Sequence, residues 1–200
     1  MKSRVAVLLC AVLTLTGMAV SYAQAQAARL RQSDHAPTRS HQRRVSTHSP
    51  RIVVKKRLRR LLLYSGSRLV RTYNIALGPH PDGDKSREGD GCTPEGDFYI
   101  AGKNPRSHYF MSLLVSYPGL NAAQRGLSER RITRAQYKRI TTAIRRGRTP
   151  PQDTPLGGQV FVHGGGSSRD WTLGCIALDN AAMRELFAVS AVGTPVRIEP

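Results

Sequence analysis

Acidic side chains are scarce in this chain of 200 residues, which carries 13 Asp and Glu against 31 Lys and Arg and a formal net charge of +18. Such a surface attracts polyanions. Aromatic residues are also few, at 6%, and the basic stretches lack the interleaved aromatic side chains on which nucleic-acid bases stack. No zinc motif or recognition helix of a nucleic-acid reader is visible. The composition therefore disfavours nucleic acid as a partner.

Cysteine is equally scarce, with Cys10 in an N-terminal apolar run and only Cys92 and Cys175 beyond it. One pair of cysteines makes no disulfide scaffold and no zinc-type cluster. The three histidines between residues 35 and 48 have neither cysteine nor clustered carboxylates beside them. We therefore predict no metal site.

Long apolar runs are absent except at the N-terminus. A basic start precedes an apolar run from Val5 to Val20, and small residues follow at Ala25 and Ala27. This is the layout of a secretory signal peptide, and the run is shorter than the ~20 residues of a membrane-spanning helix, the alternative interpretation. We expect residues 1–27 to be a signal peptide that is removed, and the protein to be exported to the periplasm or cell envelope.

The segment of residues 28–50 is polar and rich in Ser, Thr, Gln and Arg, with almost no apolar content. Such a composition cannot form a packed core, so we predict a basic, disordered linker. After export, the polyanions open to it are acidic wall polymers and anionic membrane surfaces. Residues 51–200 then form one domain of ordinary size.

The pattern changes at Ile52 to short apolar runs broken by turn residues, which predicts a mainly β domain. The loop from His80 to Gly96 is long and highly charged, as is typical of a mobile segment or a binding edge. The predicted strands are residues 52–55, 61–64 and 69–77, a strand at Phe98 and Ile100, residues 108–117 and 159–162, and a final strand at Val196 and Ile198.

Two helices are predicted. The first lies between Thr133 and Gly147, because Thr133 and Gln136 have capping-box spacing and the glycine stands where a helix C-terminus ends. Its apolar stripe of Tyr137, Ile140 and Ile144 faces the core, so this helix lies on the surface with its basic side outward. The second is short, residues 181–187, with Asp179 or Asn180 as its N-cap.

The stretch from His163 to Leu178 holds the one pairing typical of catalysis. His163 ends a β-type run and is followed by three glycines, which let the backbone turn without crowding the imidazole. Cys175 follows Gly174, a setting that suits a nucleophile on a tight turn whose own N–H stabilises an oxyanion. The alternative is a structural disulfide between Cys92 and Cys175, which would exclude a nucleophile.

Short motifs in order along the chain resemble the L,D-transpeptidase, or YkuD-like, catalytic domain family over residues 51–200. The opening Asp170, Trp171, Thr172 is similar to the periplasmic YafK-like branch, whose motif is Asp-Trp-Thr-x-Gly-Cys-Ile. The matching pieces are Leu63 with Tyr64, Tyr73 to Gly78, Lys85 with Gly89 and Asp90, Thr93 to Gly96, Tyr117 with Pro118, Thr154 to Gly158, His163 with Gly164, and Asp170 to Leu178.

The resemblance implies a fold of two packed mixed β-sheets with one inserted surface helix and a short helix after the nucleophile. It implies that Cys175 is the nucleophile and His163 its proton donor and acceptor. Gly174, Thr172 and Gly164 are the candidates for oxyanion stabilisation or substrate positioning, with the N–H groups of Gly174 and Cys175 as the donors. No metal or organic cofactor is implied.

The implied reaction is attack on the carbonyl between the third residue of a peptidoglycan stem peptide, a diamino acid, and the fourth, D-alanine. The side-chain amine of another stem resolves the thioester and forms a 3-3 crosslink. A hydrolase with the same fold and cysteine, either an L,D-carboxypeptidase or an amidase that trims crosslinks or releases wall-linked protein, remains an alternative. A non-catalytic cationic wall-binding protein with the Cys92 to Cys175 disulfide is the other.

The cysteine needs activation, because an unperturbed thiol of pKa ~8.5 is mostly neutral at pH 7. Three residues separate Cys175 from the predicted helix cap, beyond the reach of the helix dipole. His163 is therefore the predicted activator, either as an imidazolium in an ion pair or as a general base. Leu173 and Ala177 stand where much of the family has a second histidine and an arginine or asparagine, so those relatives' substrate contacts cannot be transferred.

Overall fold

The computed structural model describes residues 47–200; the predicted signal peptide and nearly all of the predicted linker lie outside this range. No helix among the described residues is long and apolar enough to cross a membrane. The elements are β1 (Pro50–Lys55), β2 (Arg60–Ser65), β3 (Arg68–Asn74), β4 (Gly96–Ser107), β5 (Phe110–Val115), α1 (Leu120–Ser128), α2 (Arg134–Arg145), β6 (Phe161–His163), β7 (Ile176–Ala177), α3 (Asn180–Val189) and β8 (Pro195–Glu199).

The strands form a mixed sheet in the order β3-β2-β1-β8-β4-β5-β6-β7. The β1–β8 and β6–β7 pairs are parallel, and the other neighbours are antiparallel. The predicted mainly β, mixed fold is confirmed, with the two predicted sheets joined as the two halves of one sheet. Its two halves are joined through β4, which pairs with β8 near its start and with β5 farther along, where bulges bend it. The sheet is therefore one continuous, curled surface.

One apolar core connects the two halves of the sheet with the helices. Alternate residues of the strands point into it, as the period of a β-strand requires. Helix α3 packs against β5, and α1 packs against α2. The largest fully buried aliphatic side chains of this core are Ile52, Leu61, Leu63, Leu77, Ile100, Leu113, Ile140, Leu156, Ile176 and Leu178.

Helix α2 begins as the sequence predicts. The Thr133 hydroxyl accepts a hydrogen bond from the Gln136 backbone N–H at 3.2 Å, and the Gln136 side-chain oxygen accepts from the Thr133 N–H at 2.9 Å. Ile140 is fully buried, while Tyr137 and Ile144 pack against the core. The predicted capping box and apolar stripe are thus confirmed.

Helix α1 is an element that the sequence pattern did not predict. Its N-cap is Gly119, which has no side chain to cap the helix, and Gly126 lies within it. Glycine weakens an isolated helix, but a Cβ at position 126 would lie 2.6 Å from the Leu156 side chain. Close packing against Leu156 therefore accounts for a glycine that lowers the helical signal.

Helix α3 begins where predicted, but its expected side-chain cap is absent. Asp179 occupies the N-cap position without a capping hydrogen bond. Its carboxylate instead accepts from the N–H of Ser167 at 3.0 Å and from the hydroxyl of Ser167 at 3.1 Å. The Asn180 side-chain oxygen accepts from the Gly165 N–H at 2.9 Å. These two side chains therefore hold the glycine-rich loop after His163 against the start of α3.

Candidate active site

Strand pairing brings His163 and Cys175 to the same face of the sheet. In the parallel pair β6–β7, Val162 lies opposite Ile176 and His163 opposite Ala177. Phe161 and Cys175 come one residue before the Val162–Ile176 pair, and the Phe161 N–H donates to the Cys175 Sγ at 3.4 Å. Because side chains alternate along a strand, the sulfur and the imidazole project on the same side.

Both side chains line one cleft of about 740 Å³. Six other side chains that line the cleft come from the segments between the strands. They are Lys85, Glu88, Tyr109, Gln159, Trp171 and Leu173.

The imidazole of His163 is held in one tautomer. Its Nδ1 lies 2.6 Å from the carbonyl oxygen of Gly164, and a carbonyl only accepts, so Nδ1 carries the proton and Nε2 the lone pair. The side chain is buried, and burial lowers the pKa of His163 below its usual value, although the Gly164 carbonyl opposes this shift. His163 is thus a neutral base at physiological pH.

Two aromatic rings fix the plane of this imidazole. Tyr109 stacks on His163 with ring centroids 4.9 Å apart and an interplanar angle of 27°. Trp171 meets His163 edge-on at 5.4 Å and 67°, and its indole N–H donates to the Gly166 carbonyl at 3.1 Å. Rotation of the histidine side chain is therefore restricted on two sides.

The Cys175 thiol lies in a setting that keeps it protonated. Burial raises the pKa of Cys175, and the Phe161 N–H and the Lys85 charge offset this only in part. The sulfur lies 3.5 Å from the Gln159 carbonyl, which accepts the thiol proton. Within residues 47–200 no hydrogen bond joins the sulfur to His163. The directions of the two pKa shifts favour the general base over the ion pair, and the choice between these two modes of activation stays a prediction.

The turn before Cys175 is fixed by Thr172 and Gly174. The Thr172 hydroxyl donates to the Cys175 carbonyl at 2.8 Å and accepts from the Gly174 N–H at 3.3 Å. Gly174 has a φ of +118°, and a Cβ there would lie 2.6 Å from the Cys92 carbonyl oxygen. Only glycine fits this position without distortion. The Thr93 hydroxyl completes the turn by donating to the Gly174 carbonyl at 3.0 Å.

The candidate oxyanion donors differ in availability. The Gly164 N–H donates to the Met111 carbonyl at 3.2 Å, and the Gly174 N–H already contacts Thr172. Among the hydrogen bonds of the described residues, none uses the Cys175 N–H. Gly164 therefore positions His163, and Thr172 positions the turn. The backbone N–H of Cys175 is the donor that remains available to an oxyanion.

Cys92 lies close to this turn but is not bonded to Cys175, since both cysteines are free thiols. The Cys92 sulfur lies 3.5 Å from the Asp90 carbonyl, and its N–H donates to the Asp90 carboxylate at 3.1 Å. The disulfide on which the non-catalytic alternative depends is therefore not formed in this structure. Among residues 47–200, no group of three or more His, Cys, Asp or Glu side chains is arranged to hold a metal ion.

The charged loop of residues 80–95, here called the cleft loop, forms one wall of the site. Two buried lysines hold it. Lys56 bonds the Gly83 and Thr93 carbonyls and pairs with Glu95 at 2.7 Å. Lys85 pairs with Asp90 at 2.8 Å. The loop is therefore anchored and lines the cleft with Lys85, Glu88 and Gly89, while its role as a binding edge stays a prediction.

Several cleft residues were not singled out as site residues from the sequence. Tyr109 lies in the turn between β4 and β5, and Gln159 just before β6. Alternation along the predicted strand of residues 159–162 places Gln159 on the same side as His163, whereas no pattern indicates that Tyr109 faces the cleft. For Glu88, the high charge of the loop of residues 80–95 was the one feature of the sequence that indicated a position at the site.

Solved structures with a similar fold are known. A point variant of the helical cell shape determining protein Pgp2 from Campylobacter jejuni is 23% identical, with a TM-score of 0.51, over 77% of this chain and 48% of that protein. The L,D-transpeptidase from Xylanimonas cellulosilytica is 19% identical, with a TM-score of 0.45, over 88% and 69%. This chain thus spans about half the length of Pgp2. At such identities the likeness concerns the fold.

Sequence comparison gives the family. No curated protein shows significant sequence similarity to the chain. A family model of the L,D-transpeptidase catalytic domain, YkuD, matches residues 49–198, which is three quarters of the chain. The chain therefore belongs to the YkuD family of L,D-transpeptidase catalytic domains.

Proposed function

We propose that this protein is a peptidoglycan L,D-transpeptidase that forms 3-3 crosslinks through a thioester on Cys175. The observation that carries the proposal is the state of His163. Its Nδ1–H is bound to the Gly164 carbonyl, so a neutral Nε2 remains as a base in the cleft that holds the thiol. A buried thiol with a raised pKa requires such a base.

In the first step, Nε2 of His163 takes the thiol proton as the Cys175 sulfur attacks the carbonyl of the third stem residue. The oxyanion accepts a hydrogen bond from the Cys175 N–H. When the intermediate collapses, Nε2–H gives its proton to the D-alanine nitrogen, which leaves as an amine. The Gly164 carbonyl favours the imidazolium formed in between, because it accepts from Nδ1–H.

In the second step, the side-chain amine of another stem attacks the thioester. His163 takes a proton from this amine, and the sulfur leaves and is protonated again. The peptide bond energy is conserved in the thioester, so the reaction needs no nucleotide, metal or organic cofactor. That economy suits the exported location proposed from the N-terminal signal pattern.

The proposed setting is the cell envelope, where the basic linker would contact acidic wall polymers or an anionic membrane surface. The name of Pgp2 links that protein of similar fold to cell shape. We extend this to the present chain as participation in the wall remodelling that sets cell shape. The YafK-like branch remains a prediction from the motif at Asp170 to Ile176.

The proposal is tested by incubating the purified protein with a stem tetrapeptide and analysing the products by mass spectrometry. We expect crosslinked dimer and released D-alanine with the wild-type protein, and neither with Cys175→Ala. Tripeptide and D-alanine without dimer would contradict transfer and identify the hydrolase. Unchanged tetrapeptide would contradict both.

A further inference from the structure

Glu88 brings a negative charge into the cleft. It lies on the cleft loop, its side chain is exposed, and it is the one Asp or Glu among the described residues that line the cleft with Cys175 and His163. This negative group stands out because the chain carries 31 Lys and Arg.

Glu88 is unusual because it forms no ion pair within residues 47–200. Of the twelve Asp and Glu in that range, nine are paired with Lys or Arg. The other three are Asp82, Glu88 and Asp179, and Asp179 binds Ser167 instead. Most carboxylates of this basic protein pair with a Lys or Arg side chain. Because Glu88 does not, its negative charge remains available to bind a cationic ligand group.

The lysine in the same cleft does not neutralise Glu88. Lys85 is buried and pairs with Asp90 at 2.8 Å, and it also donates to the Arg87 carbonyl at 2.9 Å. Its charge is therefore already compensated. The cleft beside Cys175 keeps one uncompensated negative group.

The backbone at Glu88 is held in place, so its carboxylate extends from a fixed position. The Glu88 N–H donates to the Pro155 carbonyl at 3.0 Å. Gly157 packs against it so closely that a Cβ at position 157 would lie 3.2 Å from the Glu88 Cα. Such anchoring lowers the entropy cost of binding a charged ligand group.

We propose that the Glu88 carboxylate binds the side-chain ammonium of the diamino acid whose carbonyl Cys175 attacks. This rests on the proposed function, which places that residue in the cleft. A carboxylate only accepts hydrogen bonds and an ammonium only donates them, so the two groups are complementary. Every diamino acid carries this ammonium, so Glu88 selects donor stems by a group that they share.

The test is equilibrium binding of stem tetrapeptide, measured by calorimetry on the inactive Cys175→Ala protein. We expect the further change Glu88→Gln, which keeps the size of the side chain, to weaken binding about twofold to fivefold. A tetrapeptide with an acetylated side-chain amine should bind equally to both proteins. Asp82→Asn is the matched control, because Asp82 is an unpaired carboxylate of the same loop that does not line the cleft; it should leave binding unchanged.

Equal binding of the free-amine peptide to the Glu88→Gln and parent proteins would overturn the inference, as would an equal loss with the acetylated peptide. This result is distinguishable from failure of the proposed function. Thioester formation in the active protein together with binding that does not depend on Glu88 rejects the inference alone. Binding that depends on Glu88, without thioester in the active protein, rejects the proposed chemistry alone.

Discussion

His163 and Cys175 have pKa values shifted in opposite directions, and both shifts come mainly from burial. Burial disfavours the charged form of each group, so the histidine loses its proton more readily and the thiol less readily. The resting pair is therefore a neutral imidazole and a neutral thiol. In the proposed mechanism, proton transfer between them therefore takes place only when substrate is bound.

This pairing predicts slow alkylation of Cys175 at neutral pH. Iodoacetamide reacts with the thiolate, and a raised pKa keeps the thiolate fraction low until the pH passes the ordinary thiol value of about 8.5. We expect the rate, followed by mass spectrometry in a Cys92→Ala protein, to rise with a midpoint above that pH. Cys92→Ala leaves Cys175 as the single thiol of the domain.

The control for this measurement is the same protein with His163→Ala. For a neutral pair, loss of the imidazole should move the midpoint little. A rate that stays high down to pH 6, together with a large upward shift of the midpoint in His163→Ala, would instead identify a thiolate–imidazolium pair.

At the residue scale, the motif and the family resemblance indicated His163 and Cys175, and the structure places both in one cleft. The groups that orient the His163 imidazole were not predictable from the sequence. The Gly164 carbonyl follows from a backbone conformation, and Tyr109 reaches His163 from a turn more than fifty residues earlier in the chain. Neither contact leaves a pattern in the sequence near the histidine.

Among the elements, the turn of residues 172–175 sets the direction of the Cys175 N–H. It is stabilised by the Thr172 hydroxyl and by the close approach of Gly174 to Cys92. The glycine-rich loop after His163 is likewise held by Asp179 and Asn180 at the start of α3. The positions of His163 and Cys175 therefore depend on loops that are each fixed by side chains of other segments.

We predict that Gly174→Ala destabilises the fold and abolishes thioester formation. The new Cβ would contact the Cys92 carbonyl in addition to adopting an unfavourable φ. Gly166→Ala is the matched control, since Gly166 has a similar φ of +112° with nothing within 4 Å of its Cβ. Urea unfolding should show that Gly174→Ala loses about 1–3 kcal/mol more than Gly166→Ala. Equal losses would show that backbone strain, and not contact with Cys92, restricts position 174.

Most elements followed from the sequence because their patterns are local. The capping box of α2 and the alternating strands are of this kind. Strand β7 has only two residues, Ile176 and Ala177, and exists through its pairing with β6. Helix α1 depends on packing of Leu156 against Gly126. Such elements are determined by distant contacts, so no local pattern could predict them.

For the whole molecule, Asp170 connects the catalytic segment with the other half of the sheet. Its carboxylate pairs with Arg59, between β1 and β2, at 2.7 Å and accepts from the Leu77 N–H at 2.8 Å. Burial raises the pKa of Asp170, but these hydrogen bonds outweigh it and the pKa is lowered overall. The carboxylate is thus charged and bonded in the folded state at neutral pH.

We predict that Asp170→Ala lowers the free energy of unfolding by about 1–2 kcal/mol, because it leaves the Arg59 side chain and the Leu77 N–H without this acceptor. It should also slow thioester formation, since Asp170 immediately precedes Trp171. Asp97→Ala removes another paired carboxylate, bonded to Arg197 on the exposed surface, and should change neither property appreciably. Chemical denaturation with parallel activity measurements tests both, and equal effects of the two substitutions would contradict the connecting role of Asp170.

The central claim, a thioester on Cys175 formed with the help of His163, is tested most directly by intact-protein mass spectrometry after brief mixing with stem tetrapeptide. We predict a mass increase equal to the tetrapeptide minus D-alanine in the wild-type protein. The adduct should be absent in Cys175→Ala and strongly reduced in His163→Ala. Release of D-alanine by the Cys175→Ala protein, or its release by the wild-type protein without any adduct on Cys175 at the shortest times, would contradict it.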